Sequence, residues 1–268
     1  MNKNELKKKK LFLLDMDGTI YLDDELFGKT LELLDYINMI GGKYIFITNN
    51  SSKSVNDYIS KLKSLNIKVD KSNFFTSGQA TSLYLQNNYK GKKAYILGTE
   101  SFKNGLISDS IDVYDKYDKS IDLLVVGYDT ELTYSKLEDA CKLLSEGVDF
   151  IATNPDLVCP TNFGFIPDCG SICKMLKIAT KRNPKYIGKP NKELVELALK
   201  STNFSKEETL VIGDRLYTDI ACGINAGVTT AVVLSGETKS KDLVDTEFIP
   251  DYSFENINEL YFKLKTKM

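Results

Sequence analysis

Four short stretches hold the side chains most able to do chemistry: Asp15-Met16-Asp17-Gly18-Thr19, Ile47-Thr48-Asn49-Asn50-Ser51, Gly188-Lys189-Pro190 and Asp214-Arg215-Leu216-Tyr217-Thr218-Asp219. In the first, two carboxylates follow the apolar run Leu11 to Leu14. Ligands of an open parallel sheet bind outside the carboxyl ends of its strands, which is where such a pair would lie. Asp, Gly and Thr are also common turn residues. At roughly 5–7% usage each, however, the ordered set Asp-x-Asp-Gly-Thr arises by chance in about one chain in several hundred. In the second stretch a hydroxyl at a strand end precedes backbone N–H groups that open a helix, a cradle suited to an anion. Asn and Ser in that position also serve simply as helix caps. Lys189, between Gly and Pro at a helix start, can offer a fixed positive charge to a phosphoryl group. Asp214 adds an acid at another strand end, and carboxylates gathered in this way suit a hard cation such as Mg²⁺.

The 268-residue chain contains no histidine, so its chemistry must be done by carboxylates, amines, hydroxyls, thiols or backbone. Ser-His-Asp and Cys-His catalysis, phosphohistidine chemistry and imidazole-based zinc sites are thereby excluded. With 35 Lys plus Arg against 37 Asp plus Glu, the net charge of −2 provides no basic field for nucleic acid or an anionic membrane. The basic run Lys7 to Lys10 reads as a solvated lead-in to the first strand, with a local electrostatic contact as the alternative. The apolar run after it is too short for a signal peptide, and no stretch approaches the ~18 apolar residues of a membrane span. Five cysteines, an odd number without an export signal, fit a reducing cytoplasm. Cys169 and Cys173 would share a helical face. A zinc site there would need two further soft ligands, so buried free thiols are expected.

The elements that must position these residues alternate. Apolar strands are expected at Leu11 to Asp15, Tyr44 to Thr48, Ala94 to Leu97, Leu123 to Gly127, Phe150 to Thr153, Leu210 to Gly213 and Thr229 to Leu234. Amphipathic helices, among them Leu31 to Ile40, Ser54 to Leu65 and Lys192 to Lys200, lie between them, which is the βαβ pattern of an α/β parallel sheet covered on both faces. The chemistry clusters near residues 15, 48, 189 and 214, leaving 79–186 with strands and helices but no strong catalytic motif. The expected organisation is a core of 1–78 and 187–268 interrupted by an inserted second domain, 79–186.

In order, Asp15-x-Asp17-Gly18-Thr19, Thr48, Lys189 and Gly213-Asp214 resemble the four motifs of the haloacid dehalogenase superfamily. More narrowly, Ile47-Thr48-Asn49-Asn50-Ser51, Ile187-Gly188-Lys189-Pro190 and Gly213-Asp214-Arg215-Leu216-Tyr217-Thr218-Asp219-Ile220 resemble its NagD-like, or nitrophenylphosphatase-like, subgroup. Val126-Gly127-Tyr128-Asp129, Ala152-Thr153-Asn154-Pro155-Asp156 and Pro167-Asp168-Cys169-Gly170 are similar to that subgroup's inserted α/β cap. The resemblance implies a Rossmann-like doubly wound parallel-sheet core with an inserted α/β cap, and a Mg²⁺-dependent phosphatase acting on small phosphomonoesters such as sugar or related metabolite phosphates, with nitrophenyl phosphate as an in vitro substrate.

By the same resemblance Asp15 is the nucleophile, forming an aspartyl-phosphate, and Asp17 protonates the leaving alkoxide and then activates water, which a carboxyl can do when its surroundings favour the protonated form. Mg²⁺ would be held by Asp15, the Asp17 main-chain carbonyl and Asp214. Thr48, the backbone at Asn49, and Lys189 would hold the transferring oxygens. Asp219 would support Lys189 or a metal-bound water, although an acid at a helix N-terminus can also be merely structural. Asn50, Asn154, Asp156 and the Phe163-Gly164-Phe165 turn are candidates for substrate contact. Caps of this type can pair between subunits, so a homo-oligomer is compatible. Transfer of the phosphoryl group to a second hydroxyl, as in mutases of the superfamily, and non-catalytic binding of a phosphometabolite are the alternative functions.

Overall fold

A computed structural model describes residues 3–266. Its strands run, in chain order, β1 (Leu11–Leu14), β2 (Tyr21–Leu22), β3 (Glu25–Leu26), β4 (Lys43–Thr48), β5 (Phe74–Thr76), β6 (Lys93–Leu97), β7 (Asp112–Tyr114) and β8 (Leu123–Val126). They continue with β9 (Asp149–Ala152), β10 (Val158–Thr161), β11 (Gly164–Pro167), β12 (Lys185–Tyr186), β13 (Thr209–Gly213), β14 (Thr229–Val233) and β15 (Tyr252–Phe254). One parallel sheet has the order β15-β14-β13-β1-β4-β5. A second, also parallel, has the order β12-β9-β8-β6-β7 and is built wholly from the inserted stretch. The fold is therefore a Rossmann-like core with an inserted α/β region of the cap type.

The alternation of side chains along buried strands explains why both sheets are sandwiched. Phe12, Leu14, Phe46, Leu210 and Ile212 pack on one face of the core sheet against the helices Thr30–Met39, Val55–Ser64 and Ile257–Lys265. Leu11, Leu13, Ile45, Ile47 and Val211 turn to the other face, against Glu193–Lys200 and Ala221–Ala226. Each such fully buried side chain contributes roughly 1.5–3 kcal/mol relative to exposure. In the inserted region, Leu124, Val126 and Phe150 pack on the helices Tyr134–Glu146 and Cys169–Thr180, while Ala94, Ile96 and Val125 face Ser77–Asn88 and Glu100–Ser108.

Register brings the motifs together. Leu14 pairs with Ile212 on one side and Phe46 on the other. Asp15, Asp214 and Thr48 consequently emerge along one carboxyl edge. The carboxyl ends of β6, β8 and β9 face the same place from above. Thr99 Oγ1 donates to the Ser52 carbonyl (2.8 Å), the Tyr128 N–H donates to Ser51 Oγ (2.9 Å), and the Ser51 and Thr153 hydroxyls pair at 2.9 Å. The loop after Thr48 is thus held between two sheets.

The lysine run differs from a uniformly solvated lead-in. Lys8 is exposed, but Lys9 is buried, with its ammonium donating to the Glu207 carbonyl at 2.6 Å and to Thr229 Oγ1 at 2.5 Å. Those bonds replace its hydration and tie the start of β1 to the loops before β13 and β14. All five cysteines are free thiols; Cys169, Cys173 and Cys222 are buried in the apolar layers. Among the described residues, no helix is long and apolar enough to cross a membrane.

Candidate active site

At the centre lies Lys189, 2% exposed. Its Nζ stands 2.6 Å from Asp15 Oδ1 and 2.5 Å from Asp219 Oδ1, and it donates to the Ile47 carbonyl at 3.0 Å. The three ammonium donors are thereby used, and the charge is fixed in position. Burial alone would lower the Lys189 pKa, but the Asp15 and Asp219 carboxylates outweigh it and keep the group above the ordinary lysine value. Burial also pushes Asp15 well above the usual carboxylate range, against the pull of Lys189 and with added repulsion from Asp219 and Asp214.

Asn49 locks the lysine's backbone. Its Oδ1 accepts the Lys189 N–H at 2.8 Å, and its Nδ2 donates to the Lys189 carbonyl at 3.0 Å and to Asp156 Oδ1 at 3.2 Å. Thr48 Oγ1 accepts the Asn50 N–H at 3.1 Å, so its hydroxyl proton is free to point toward a ligand. The Asn50 side chain is occupied with Ser52, accepting from both its N–H and its hydroxyl.

Asp214 is fully buried. Its Oδ2 accepts the Glu237 N–H at 2.6 Å, whereas Oδ1 has no hydrogen-bond partner. Burial pushes this carboxyl up to about 7 against the pull of neighbouring Arg215, with Asp219 and Glu237 adding repulsion. Carboxylate oxygens of Asp15, Asp214 and Asp219 all lie within 4.8 Å of one another. An orphaned, buried oxygen within an all-oxygen donor set is what a hard divalent cation would satisfy, so the residues present fit a metal-binding site. Two glycines make the packing possible. Gly18 has φ +82°, and a Cβ there would stand 2.7 Å from Asp214 Oδ2; at Gly213 a Cβ would stand 2.2 Å from Asp219 Cγ.

Asp17 is not part of that carboxylate cluster. It lines an adjoining cavity of about 20 Å³ together with Asp15, Thr48, Asn49, Asn50, Asp156, Cys159, Asp168 and Arg215. The space admits about one water. Larger clefts, such as one of about 820 Å³ lined by Tyr134, Leu137 and Met175 on the far side of the inserted region, do not reach these acids.

Asn154 is buried away from the cavity, its Nδ2 donating to the Asn49 carbonyl at 2.7 Å. Phe163 and Phe165 are exposed on the β10–β11 hairpin, whose Asn162 N–H donates to Asp23 Oδ2 at 3.0 Å. Of the substrate-contact candidates in the inserted region, then, only Asp156 reaches the cavity wall, where it forms an ion pair with Arg215. Arg215 also donates to the Val158 carbonyl at 2.9 Å and has its Nε 2.9 Å from Glu237 Oε2. Cys159, Asp168 and this use of Arg215 were absent from the sequence-derived set. Arg215 follows Asp214 directly, and that charge was the one local signal; Asp168 stood only within the Pro167-Asp168-Cys169-Gly170 segment, with no role attached to it.

A profile for haloacid dehalogenase-like hydrolases matches residues 12–109, and a HAD-hydrolase-like profile matches 186–260. An acid sugar phosphatase of Staphylococcus haemolyticus is 33% identical over 253 residues, 94% of this chain and 95% of that protein. The chain belongs to the haloacid dehalogenase-like hydrolase family. A 4-nitrophenylphosphatase from Thermotoga maritima superimposes with TM-score 0.90 at 38% identity, covering 97% of this chain and 99% of that one. A glycerol phosphate phosphatase from Mycobacterium tuberculosis, in complex with magnesium, gives TM-score 0.87 at 27% identity over 96% of this chain and 77% of the other. This haloacid dehalogenase-like hydrolase is thus a phosphatase of the NagD or nitrophenylphosphatase type, acting on small phosphoesters by aspartate-based chemistry.

Proposed function

We propose that the enzyme hydrolyses sugar or related metabolite phosphomonoesters through a phosphoryl-Asp15 intermediate, with Mg²⁺ as cofactor, in the cytoplasm. The observation that carries this reading is the pairing of Lys189 with Asp15 and Asp219 beside the unpartnered Asp214 Oδ1. Asp15 attacks phosphorus and the ester P–O bond breaks, while Asp17 gives its proton to the leaving oxygen. Water then attacks phosphorus, Asp17 takes the proton, and the bond to Asp15 breaks to release inorganic phosphate. The Thr48 hydroxyl and the Asn49 backbone hold the non-bridging oxygens throughout, and Lys189 sets a fixed positive charge beside them. Mg²⁺, held by Asp15, the Asp17 carbonyl and Asp214, would offset repulsion between the nucleophile and a dianionic ester. Asp219 fixes Lys189 in position.

In this reading residues 79–186 form a cap over a core of 1–78 and 187–268. A cavity of about 20 Å³ has no room for a phosphoryl group, which supports a cap that swings away to admit substrate and closes to exclude water. The test is an initial-rate screen of phosphate esters with Mg²⁺, using Asp15→Asn as the blank. Release of phosphate by the unsubstituted chain and none by the variant is expected; hydrolysis by both overturns the assignment.

A further inference from the structure

The cap side of the cavity carries acids and no uncommitted cation. Lys189 is spent on Asp15 and Asp219, and Arg215 on Asp156 and Glu237. Among the described residues lining the cavity, Arg215 is the one lysine or arginine, whereas Asp17, Asp156 and Asp168 line it beside Asp15. Burial, with Asp17 and Asp168 nearby, pushes the Cys159 thiol up to about 12, so Cys159 contributes no charge of its own.

Asp168 stands out in that wall. It is 3% exposed and caps the helix Cys169–Thr180, with Oδ1 accepting the Cys169 N–H at 2.5 Å and its own N–H donating to the Leu157 carbonyl at 3.0 Å. Its Oδ2 has no hydrogen-bond partner among the described residues, although the side chain lines the cavity. A buried carboxyl with one unpartnered oxygen, in the wall of the cavity that Asp15 and Asp17 also line, points to a ligand group that would satisfy it. We propose that Asp168 determines specificity by binding a hydroxyl of the leaving group and rejecting leaving groups that carry a second anion.

The inference rests on the phosphatase reading and deepens it. A hydroxyl serves Asp168 in either protonation state: the carboxylate accepts its proton, and the carboxylic acid donates to its oxygen. Burial and Asp156, opposed by the Cys169 N–H and Arg215 and reinforced by Asp17, push Asp168 up to about 8. Above that value an anionic leaving group meets a like charge, and the nearby Arg215 is already ion-paired with Asp156 and Glu237.

The test uses sn-glycerol 3-phosphate and 3-phosphoglycerate, which differ in having CH₂OH or a carboxylate at the far carbon, assayed with Mg²⁺ at pH 9. One unit of like charge at roughly 6 Å, in an effective dielectric of about 20, implies a preference for the polyol ester on the order of 100-fold in kcat/KM. Asp168→Asn and Asp168→Gly both remain acceptable N-caps, so the cap fold has a route to survive in each. In each folded variant the ratio of the two kcat/KM values should fall at least about 10-fold, a change that general structural damage, acting on both esters alike, would not produce. A wild-type enzyme without the preference, or variants whose ratio stays within about 2-fold of wild type, overturns the proposal while leaving the phosphatase reading standing. If wild type fails to hydrolyse nitrophenyl phosphate as well, the phosphatase reading falls and this inference falls with it.

Discussion

Asp219→Asn separates a carboxylate that works through Lys189 from one that binds metal directly. Asp219 Oδ1 accepts the ammonium at 2.5 Å, and Oδ2 accepts the Arg215 N–H at 3.0 Å. An amide has the same shape but only one acceptor atom, so its NH₂ must face one of those two donors. Asp219 packs so closely on Gly213 that a Cβ there would stand 2.2 Å from its Cγ. Loss of the bond to the charged lysine corresponds to roughly 1.5–3 kcal/mol, or about 10- to 150-fold in rate if it is felt in the transition state. Lys189 would then pair with Asp15 alone, drawing the ammonium onto the attacking carboxylate. The assay is kcat/KM for nitrophenyl phosphate at saturating Mg²⁺, in a cycle with Lys189→Met. Residues acting as one unit are non-additive, so Asp219→Asn should cost less than about 3-fold once Lys189 has been removed. Multiplicative losses, together with a fall in apparent Mg²⁺ affinity whether or not Lys189 is present, would refute the positioning role and make Asp219 a metal ligand.

Other outcomes follow from the same geometry. Asp17→Asn should slow alkyl phosphates more than nitrophenyl phosphate, because a poor leaving group depends most on proton donation; comparing log kcat across leaving groups checks this, and equal losses count against the acid role. EDTA should abolish turnover and Mg²⁺ restore it, measured by phosphate release; activity indifferent to chelation would sink the metal assignment. Arg215→Met leaves buried Asp156 without its partner at an expected cost of about 3–5 kcal/mol, seen as a fall in Tm of roughly 10 °C. Adding Asp156→Asn should recover much of that loss, and a double variant no more stable than the single one would show that the pair is not coupled.

Much of the fold was legible because the longer buried strands advertise themselves. β1, β4, β6, β8, β9, β13 and β14 are four to six residues of apolar, β-branched or aromatic character, and each was expected within a residue or two of its position. The edges β5, β7, β12 and β15 went unseen. They are two or three residues long and half-exposed in places, too short for a period to show, and they form by pairing with a neighbour already in position. Lys9 was misread for a related reason: its burial depends on the Glu207 carbonyl and the Thr229 hydroxyl, almost two hundred or more positions away in the chain.

The sequence by itself determined the chemistry on offer. Without histidine, carboxylates, amines, hydroxyls, thiols or backbone had to carry any catalysis, and Asp15, Asp17, Thr48, Lys189, Asp214 and Asp219 were candidates by type and by position near strand ends and helix starts. Parallel pairing of β1 with β4 and β13 then carries strand ends to a common edge, a consequence that can be read from local pattern. Which groups close the site from the other side was decided only in three dimensions. Asp168 and Cys159 reach the cavity from the inserted region, Arg215 bridges to Asp156, and Asn154 turns away to hold Asn49. Those contacts depend on how one sheet docks over the other, and docking is fixed by the fit of buried surfaces far apart in the chain, which no local spacing encodes.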